Sequence, residues 1–174
     1  MLALVLVVAC SVDGQATTAT ATTTPDSSGS GSATLPGSTA TGPIQPNQGD
    51  LAGWDVVEIE IGPGRHLVAL ADEPTERSRG LMGIDDLGEL AGMLFVFPAQ
   101  SRGGFWMKDT LIRLAIGFFD DRGALVDTFV MEPCAADPCP VYEASGPFRY
   151  AVEMPAAGGS EIVAAGALVI DGAG

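Results

Sequence analysis

A mainly β domain is what this chain predicts: a small barrel or a strongly curved antiparallel or mixed sheet with one short helix. Three observations carry that expectation. Apolar runs of strand length recur between Gly, Pro and Asp punctuation. One run alternates cleanly, with Val57, Ile59 and Ile61 separated by Glu58 and Glu60, the period of a half-buried strand. Helix-start and helix-stop chemistry is concentrated in a single short segment, and no stretch repeats internally.

Taken in order, "WDVVEIEIGPGRHLVALA" reads as a hairpin turning at Gly62-Pro63-Gly64. In "ADEPTERSRGLMG", Asp72 is placed to cap a helix over about 73–79, with Pro74 in its first turn and Gly80 as a left-handed stop. "GMLFVFP" is a continuous apolar run closed by Pro98, as expected of a buried strand. "LAIGFFDDRGALVDTFVM" reads as a second hairpin turning at Asp121-Arg122-Gly123, and "FRYAVEMP" and "GALVI" supply two further strands. His66 lies beside the first turn with no acid at metal-ligand spacing, as a surface histidine would.

Composition divides the chain into three parts. Residues 1–10 open with an unbroken apolar run, Leu2 to Ala9, too short to span a bilayer, which needs about 20 residues. It ends in Val7-Val8-Ala9-Cys10, which resembles a bacterial lipobox whose cysteine receives the lipid. The positively charged segment that usually precedes such a run is absent, and a start upstream of Met1 would supply it. Residues 11–50 are dominated by Thr, Ser, Ala, Gly and Pro, with isolated large aliphatics and no aromatic residue. Such a segment buries too little apolar surface to offset its ordering entropy and is expected to be a disordered tether. Residues 51–174 are then one β-rich domain. The expected location is outside the cytoplasm, with the chain lipid-anchored to the outer face of the cytoplasmic membrane or elsewhere in the cell envelope.

The formal net charge is −14. It excludes phosphate-backbone recognition, so no nucleic acid partner is expected, and it opposes electrostatic docking on anionic lipid. With Cys10 acylated, Cys134 and Cys139 remain in "CAADPC", close enough for a small disulfide loop in an exported protein. Two thiolates are only half a zinc set, so no metal site is expected, and no cofactor motif is present.

"ERSRGLMG", "GMLFVFP", "GFWMKDTLIRLAIGFFDDRG" and "YAVEMPAAGG" follow one another as in a prokaryotic family, domain of unknown function 192, which the chain resembles from roughly Val57 to Asp171. The resemblance implies a compact, largely β fold, with many members exported or lipid-anchored. It implies no activity and no catalytic residue. It also marks three departures: the family usually has Asn where Asp109 stands, Pro where Arg113 stands and Asp where Ala115 stands.

The most distinctive stretch is "GFWMKDTL", which holds the only lysine in the chain. As a strand it would send Trp106, Lys108 and Thr110 to one side and Phe105, Met107 and Asp109 to the other. Three readings follow. Phe105, Trp106 and Met107 are core, and Lys108 snorkels to water and pairs with a nearby carboxylate. Or the stretch rims a cleft in which Trp106 stacks, Lys108, Arg77 and Arg79 supply cations, and Asp109, Thr110, Tyr142 and Glu153 add polar contacts, suiting a small acidic or carbohydrate ligand. Or Lys108 is a nucleophile or base partnered by Asp109 or Glu153, which requires its pKa to fall. The chain is thus expected to be an envelope lipoprotein with a binding or structural β module; the alternative is an envelope enzyme acting on a carbohydrate or peptidoglycan-derived substrate.

The anchor has a direct test. Cys10→Ala is expected to move the chain from the membrane to the soluble fraction on cell fractionation; a variant still sedimenting with membranes would refute acylation at that residue.

Overall fold

The structure, a computed structural model, describes residues 47–170. Cys10, the expected site of lipid attachment, and nearly all of the expected tether lie outside the described residues. Among the described residues no helix is long and apolar enough to cross a membrane.

Within the described residues, nine strands and two short α-helices follow one another: β1 (Val56–Ile61), β2 (Gly64–Ala71), α1 (Pro74–Arg79), β3 (Gly92–Ser101), β4 (Gly104–Trp106), β5 (Leu114–Phe119), β6 (Leu125–Met131), β7 (Val141–Glu143), β8 (Phe148–Pro155), α2 (Gly159–Ala165) and β9 (Leu168–Ile170). Seven strands form one sheet in the order β6-β5-β8-β3-β2-β1-β9, while β4 and β7 pair separately. The long sheet curls into a half-barrel, the curved mixed sheet that the sequence predicts. Its two end regions touch through one bridge, Ala124 with Ala167.

Every pairing in the long sheet is antiparallel except that of β2 with β3, where Val68 to Ala71 run alongside Gly92 to Phe95. A parallel pair cannot be joined by a tight turn and needs a crossover. The chain from Asp72 to Ala91 provides it, and α1 is the only helix within it. Glu73, not Asp72, caps that helix: its side chain accepts the third-position N–H, while the Glu76 carboxylate accepts the N–H of Glu73. The Glu-x-x-Glu spacing makes this reciprocal box, and Asp72 stays one residue too early. Gly80 ends the helix at a φ of 49°, as expected of a glycine stop.

The apolar runs reflect a sheet covered on both faces. One layer joins Met93, Phe95, Ile116, Phe118, Phe148 and Ala151 to Leu81, Leu90 and Met107. The other joins Leu94, Ala115, Val152 and Met154 to Ile162 of α2. A strand with cover on both sides reads as an uninterrupted hydrophobic run, as β5 does. Ala115, where the family resemblance expects Asp, lies in the second layer, and a Cβ on Gly159 would come within 2.4 Å of its own Cβ. α2 was not expected, because its seven residues, GSEIVAA, are too few to show a helical period; Ile162 is buried in the core.

Three further expectations are corrected. β3 continues beyond Pro98 to Ser101; the register with β8 shifts between Val96 and Ser101, so Pro98 sits where no ladder N–H is required. The strand expected over "GFWMKDTL" ends at Trp106, and Asp109 takes a φ of 53° that breaks the alternation. Asp and Asn tolerate that left-handed backbone better than other side-chain-bearing residues, so Asp109 is compatible with the turn. His66 is mostly covered instead of exposed, with Nε2 2.9 Å from Oε2 of Glu161 on α2.

Gly92 of β3 is the tightest point of the central sheet: an added Cβ would come 1.9 Å from the Glu153 carbonyl oxygen of β8. Backbone cannot retreat as a flexible side chain can. Gly92→Ala is therefore expected to destabilise the fold by at least about 2 kcal/mol, measured by urea denaturation; a loss within error of zero would show that β3 and β8 are not packed this closely.

Candidate functional site

The crossover lays α1 over the outer half of β3, and the Gly-rich turn into β4 closes the other side. Between them is a hollow of about 470 Å³. Its aromatic walls come from three elements: Phe95 and Phe97 from β3, Phe105 and Trp106 from β4, and Phe148 from β8. The rings stand edge to face, Phe95 to Phe105 at 5.0 Å and Phe97 to Phe148 at 5.3 Å between centroids, a preferred arrangement for aromatic pairs. Trp106 remains 48% exposed, so its indole belongs to the mouth.

Arg77 and Arg79 line the same hollow from α1. Arg77 is held in place: Nη1 donates to the carbonyl of Asp72 and, at 3.0 Å, to that of Val96, and its guanidinium lies 5.4 Å from the Phe97 ring centre. Arg79 stacks 5.5 Å from the Trp54 ring centre. No carboxylate is found paired with either arginine among the described residues, so both charges remain available to an anion.

Glu153 also lines the hollow. It lies on β8 between Met93 of β3 and Ile116 of β5, both fully buried. The residue is only 4% exposed, and no hydrogen bond or ion pair to its carboxyl occurs among the described residues. Desolvation disfavours the charged form and lifts its pKa from the usual 4.5 to about 8. Glu153 is thus an inward carboxyl on a central strand, with no arginine partner among the described residues. Thr110, 6% exposed, adds a hydroxyl to the lining.

Five of the eight residues singled out in the sequence therefore meet at one hollow: Arg77, Arg79, Trp106, Thr110 and Glu153. Lys108, Asp109 and Tyr142 are not part of its lining. Lys108 Nζ donates to Asp137 Oδ2 at 3.1 Å, inside the loop closed by the Cys134–Cys139 disulfide. That hydrogen bond, together with the negative charges of Asp137 and Asp109, holds the ammonium above its usual pKa. Tyr142 packs into the core, its ring centre 5.9 Å from that of Phe129. Asp109 serves the turn, its N–H donating to the Cys134 carbonyl and its own carbonyl accepting from Gly83.

Phe95, Phe97 and Phe148 were missed as lining residues. Their two-residue spacing puts Phe95 and Phe97 on one face of β3, but nothing in a doubly buried strand tells which face borders a cavity. No group of three or more His, Cys, Asp or Glu placed to hold a metal occurs among the described residues.

A family model, domain of unknown function 192 ("Uncharacterized ACR"), matches residues 57–163, more than half of the chain. The chain belongs to that family. No curated protein matches it. Among solved structures, the domain of unknown function 192 chain resembles a protein of unknown function from Novosphingobium aromaticivorans DSM 12444, at 23% identity and a TM-score of 0.61, covering 73% of this chain and 94% of that one. It also resembles a "putative transcription regulator" from Sinorhizobium meliloti 1021, at 22% identity and a TM-score of 0.59, covering 67% of this chain and 95% of that one. At these identities the likeness establishes the fold.

The buried carboxyl of this domain of unknown function 192 protein has a consequence for stability. Because Glu153 has a higher pKa folded than unfolded, the folded state holds a proton that the unfolded chain releases between about 4.5 and 8. Its contribution is fully present below the lower value and is lost as pH rises through the upper one, by roughly 1 kcal/mol per pH unit. Glu153→Gln is expected to remove that dependence. Relative to wild type, the variant should gain on the order of 2 to 3 kcal/mol between pH 5 and pH 7.5 in urea unfolding. A constant difference between the two proteins would mean that Glu153 is not buried in this way.

Proposed function

We propose that this protein is a cell-envelope lipoprotein whose half-barrel binds a small acidic or sugar-like ligand in the hollow between α1, β3 and β4. The observation that carries the reading is the composition of that hollow. Aromatic walls, two arginines without carboxylate partners and a buried carboxyl without a partner converge on one concavity of about 470 Å³. A few polar groups set among apolar walls are the usual make-up of a small-molecule site, and the volume suits a ligand of one or two rings. Trp106 at the mouth offers a face for stacking, while Arg77 and Arg79 offer donors to a carboxylate.

Lys108 lends no support to the enzymatic alternative. A lysine nucleophile or base needs a lowered pKa, and the Asp137 hydrogen bond moves this one upward. Attachment at Cys10 and export rest on the sequence of residues 1–10, and the envelope setting of the ligand follows from them.

N-acetylmuramic acid, an acidic sugar, is a suitable probe. Isothermal titration of the full chain is expected to give saturable binding. Arg79→Gln should weaken it about ten-fold or more, the loss of one charge-assisted contact, and Trp106→Ala should weaken it as well. Equal affinity in all three proteins, or no binding to any, would overturn the pocket as the site for such a ligand.

A further inference from the structure

We propose that the hollow takes an amphoteric ligand, seating an ammonium group against the Glu153 carboxylate and the phenylalanine rings, and a carboxylate at Arg77 and Arg79. This rests on the reading of the hollow as a ligand site and names the chemistry of its occupant.

The first argument is the isolation of Glu153. Buried ionisable groups are normally paired or hydrogen-bonded. Glu153 is 96% covered, faces the hollow, and has no partner among the described residues. Its strand neighbours, Met93 and Ile116, offer nothing polar from their side chains. The other charged groups on the hollow are Arg77 and Arg79, and neither bonds it. The complementary donor is therefore left for an occupant to bring.

The second argument is the walls. Phe95, Phe97, Phe105 and Phe148 surround the space in nearly perpendicular pairs. Aromatic faces attract cations and gain most when water is excluded. A carboxyl enclosed by such rings suits an ammonium better than it suits an anion.

The third argument concerns the other end of the ligand. Two guanidinium groups on the lining oppose a purely cationic molecule. A molecule whose only polar group is a carboxylate leaves Glu153 without a donor. A molecule carrying both charges meets neither objection.

A sugar hydroxyl would also satisfy a protonated Glu153, but it would move no proton. An ammonium binds the ionised form. Near neutral pH, where the empty pocket holds Glu153 protonated, its binding must expel that proton to solvent. Proton release therefore distinguishes the two occupants.

The test uses the full chain and three probes that share one ring: free L-phenylalanine, 3-phenylpropanoate, which lacks the amine, and 2-phenylethylamine, which lacks the acid. Calorimetric titrations at pH 7 run in buffers of differing ionisation heat. L-phenylalanine is expected to bind at least about ten-fold more tightly than either relative, with release of nearly one proton. Glu153→Gln should bring L-phenylalanine down to the level of 3-phenylpropanoate and abolish proton release. Unchanged affinity of that variant for 3-phenylpropanoate shows that the site remains folded. Equal binding of L-phenylalanine and 3-phenylpropanoate by wild type, or tight binding without proton release, overturns the amphoteric ligand and leaves the pocket reading intact. Failure of all three probes while N-acetylmuramic acid binds has the same meaning; failure of that acid too overturns both readings.

Discussion

The parallel pairing of β2 with β3 is the constraint on which the rest of this molecule depends. All other neighbours in the long sheet run antiparallel and are compatible with short connections or local excursions. This one pairing obliges the chain to climb off the sheet at the end of β2 and cross back to the opposite end before β3 begins. The climb sets Arg77 against the Val96 carbonyl and the Phe97 ring, and brings Gly80 so near Phe95 that an added Cβ would lie 3.3 Å from the ring. An antiparallel pairing at this point would remove the need for the crossover, and with it the roof of the hollow.

Beneath that roof, the centre of the sheet is packed to its limit. β8 lies between β3 and β5, its backbone so close to β3 that Gly92 has no room for a side chain. Every other buried position around it is apolar or small: Met93, Ile116, Ala151, Val152. Glu153 is the exception, and burial of an unpaired carboxyl is expensive in any fold. A buried carboxyl that faces a cavity and has no partner among the described residues is marked as something other than filler. The same logic separates Glu153 from Thr110, whose hydroxyl has a backbone carbonyl at 3.5 Å.

Much of the fold was legible because its signals are local. The alternation of Val57, Ile59 and Ile61 and the Gly62-Pro63-Gly64 turn define β1 and β2 without outside help, and Asp121-Arg122-Gly123 does the same for β5 and β6. The helix was legible from Pro74 and Gly80, and only its cap was misplaced by one residue. What escaped was non-local. β4 and β7 are three residues each and exist only because Phe105 finds Tyr142 across the molecule. α2 has little helical patterning of its own and is held by Ile162 packing beneath the sheet. The site divided along the same line. Arg77 and Arg79 both line the hollow from one short helix, yet two residues apart they leave it in different directions, Arg77 to Phe97 and Arg79 to Trp54. Glu153 was seen but not placed, since its burial depends on β3 and β5 lying on either side. Lys108 was assigned to the cleft because its partner, Asp137, lies 29 residues away in a loop whose position no local pattern reveals.

The lone lysine nonetheless bears on the hollow, at one remove. Lys108 forms a bridge with Cys134 and an ion pair with Asp137, so both the backbone and the side chain of that residue are tied to the disulfide loop. The loop leads directly into β7, and β7 is the strand against which Gly104, Phe105 and Trp106 are registered. An exposed ion pair on its own contributes little to stability. Here it acts together with the Met107–Cys134 and Asp109–Cys134 backbone hydrogen bonds and a covalent bond over a few residues. The result is a short brace that fixes where the wall of the hollow stands. Phe105 can then meet Phe95 edge to face, and Trp106 can stay at the mouth without packing support of its own on its outer side. The charge that sets this stretch of sequence apart thus positions the indole and leaves the chemistry of the cavity to Glu153 and the two arginines.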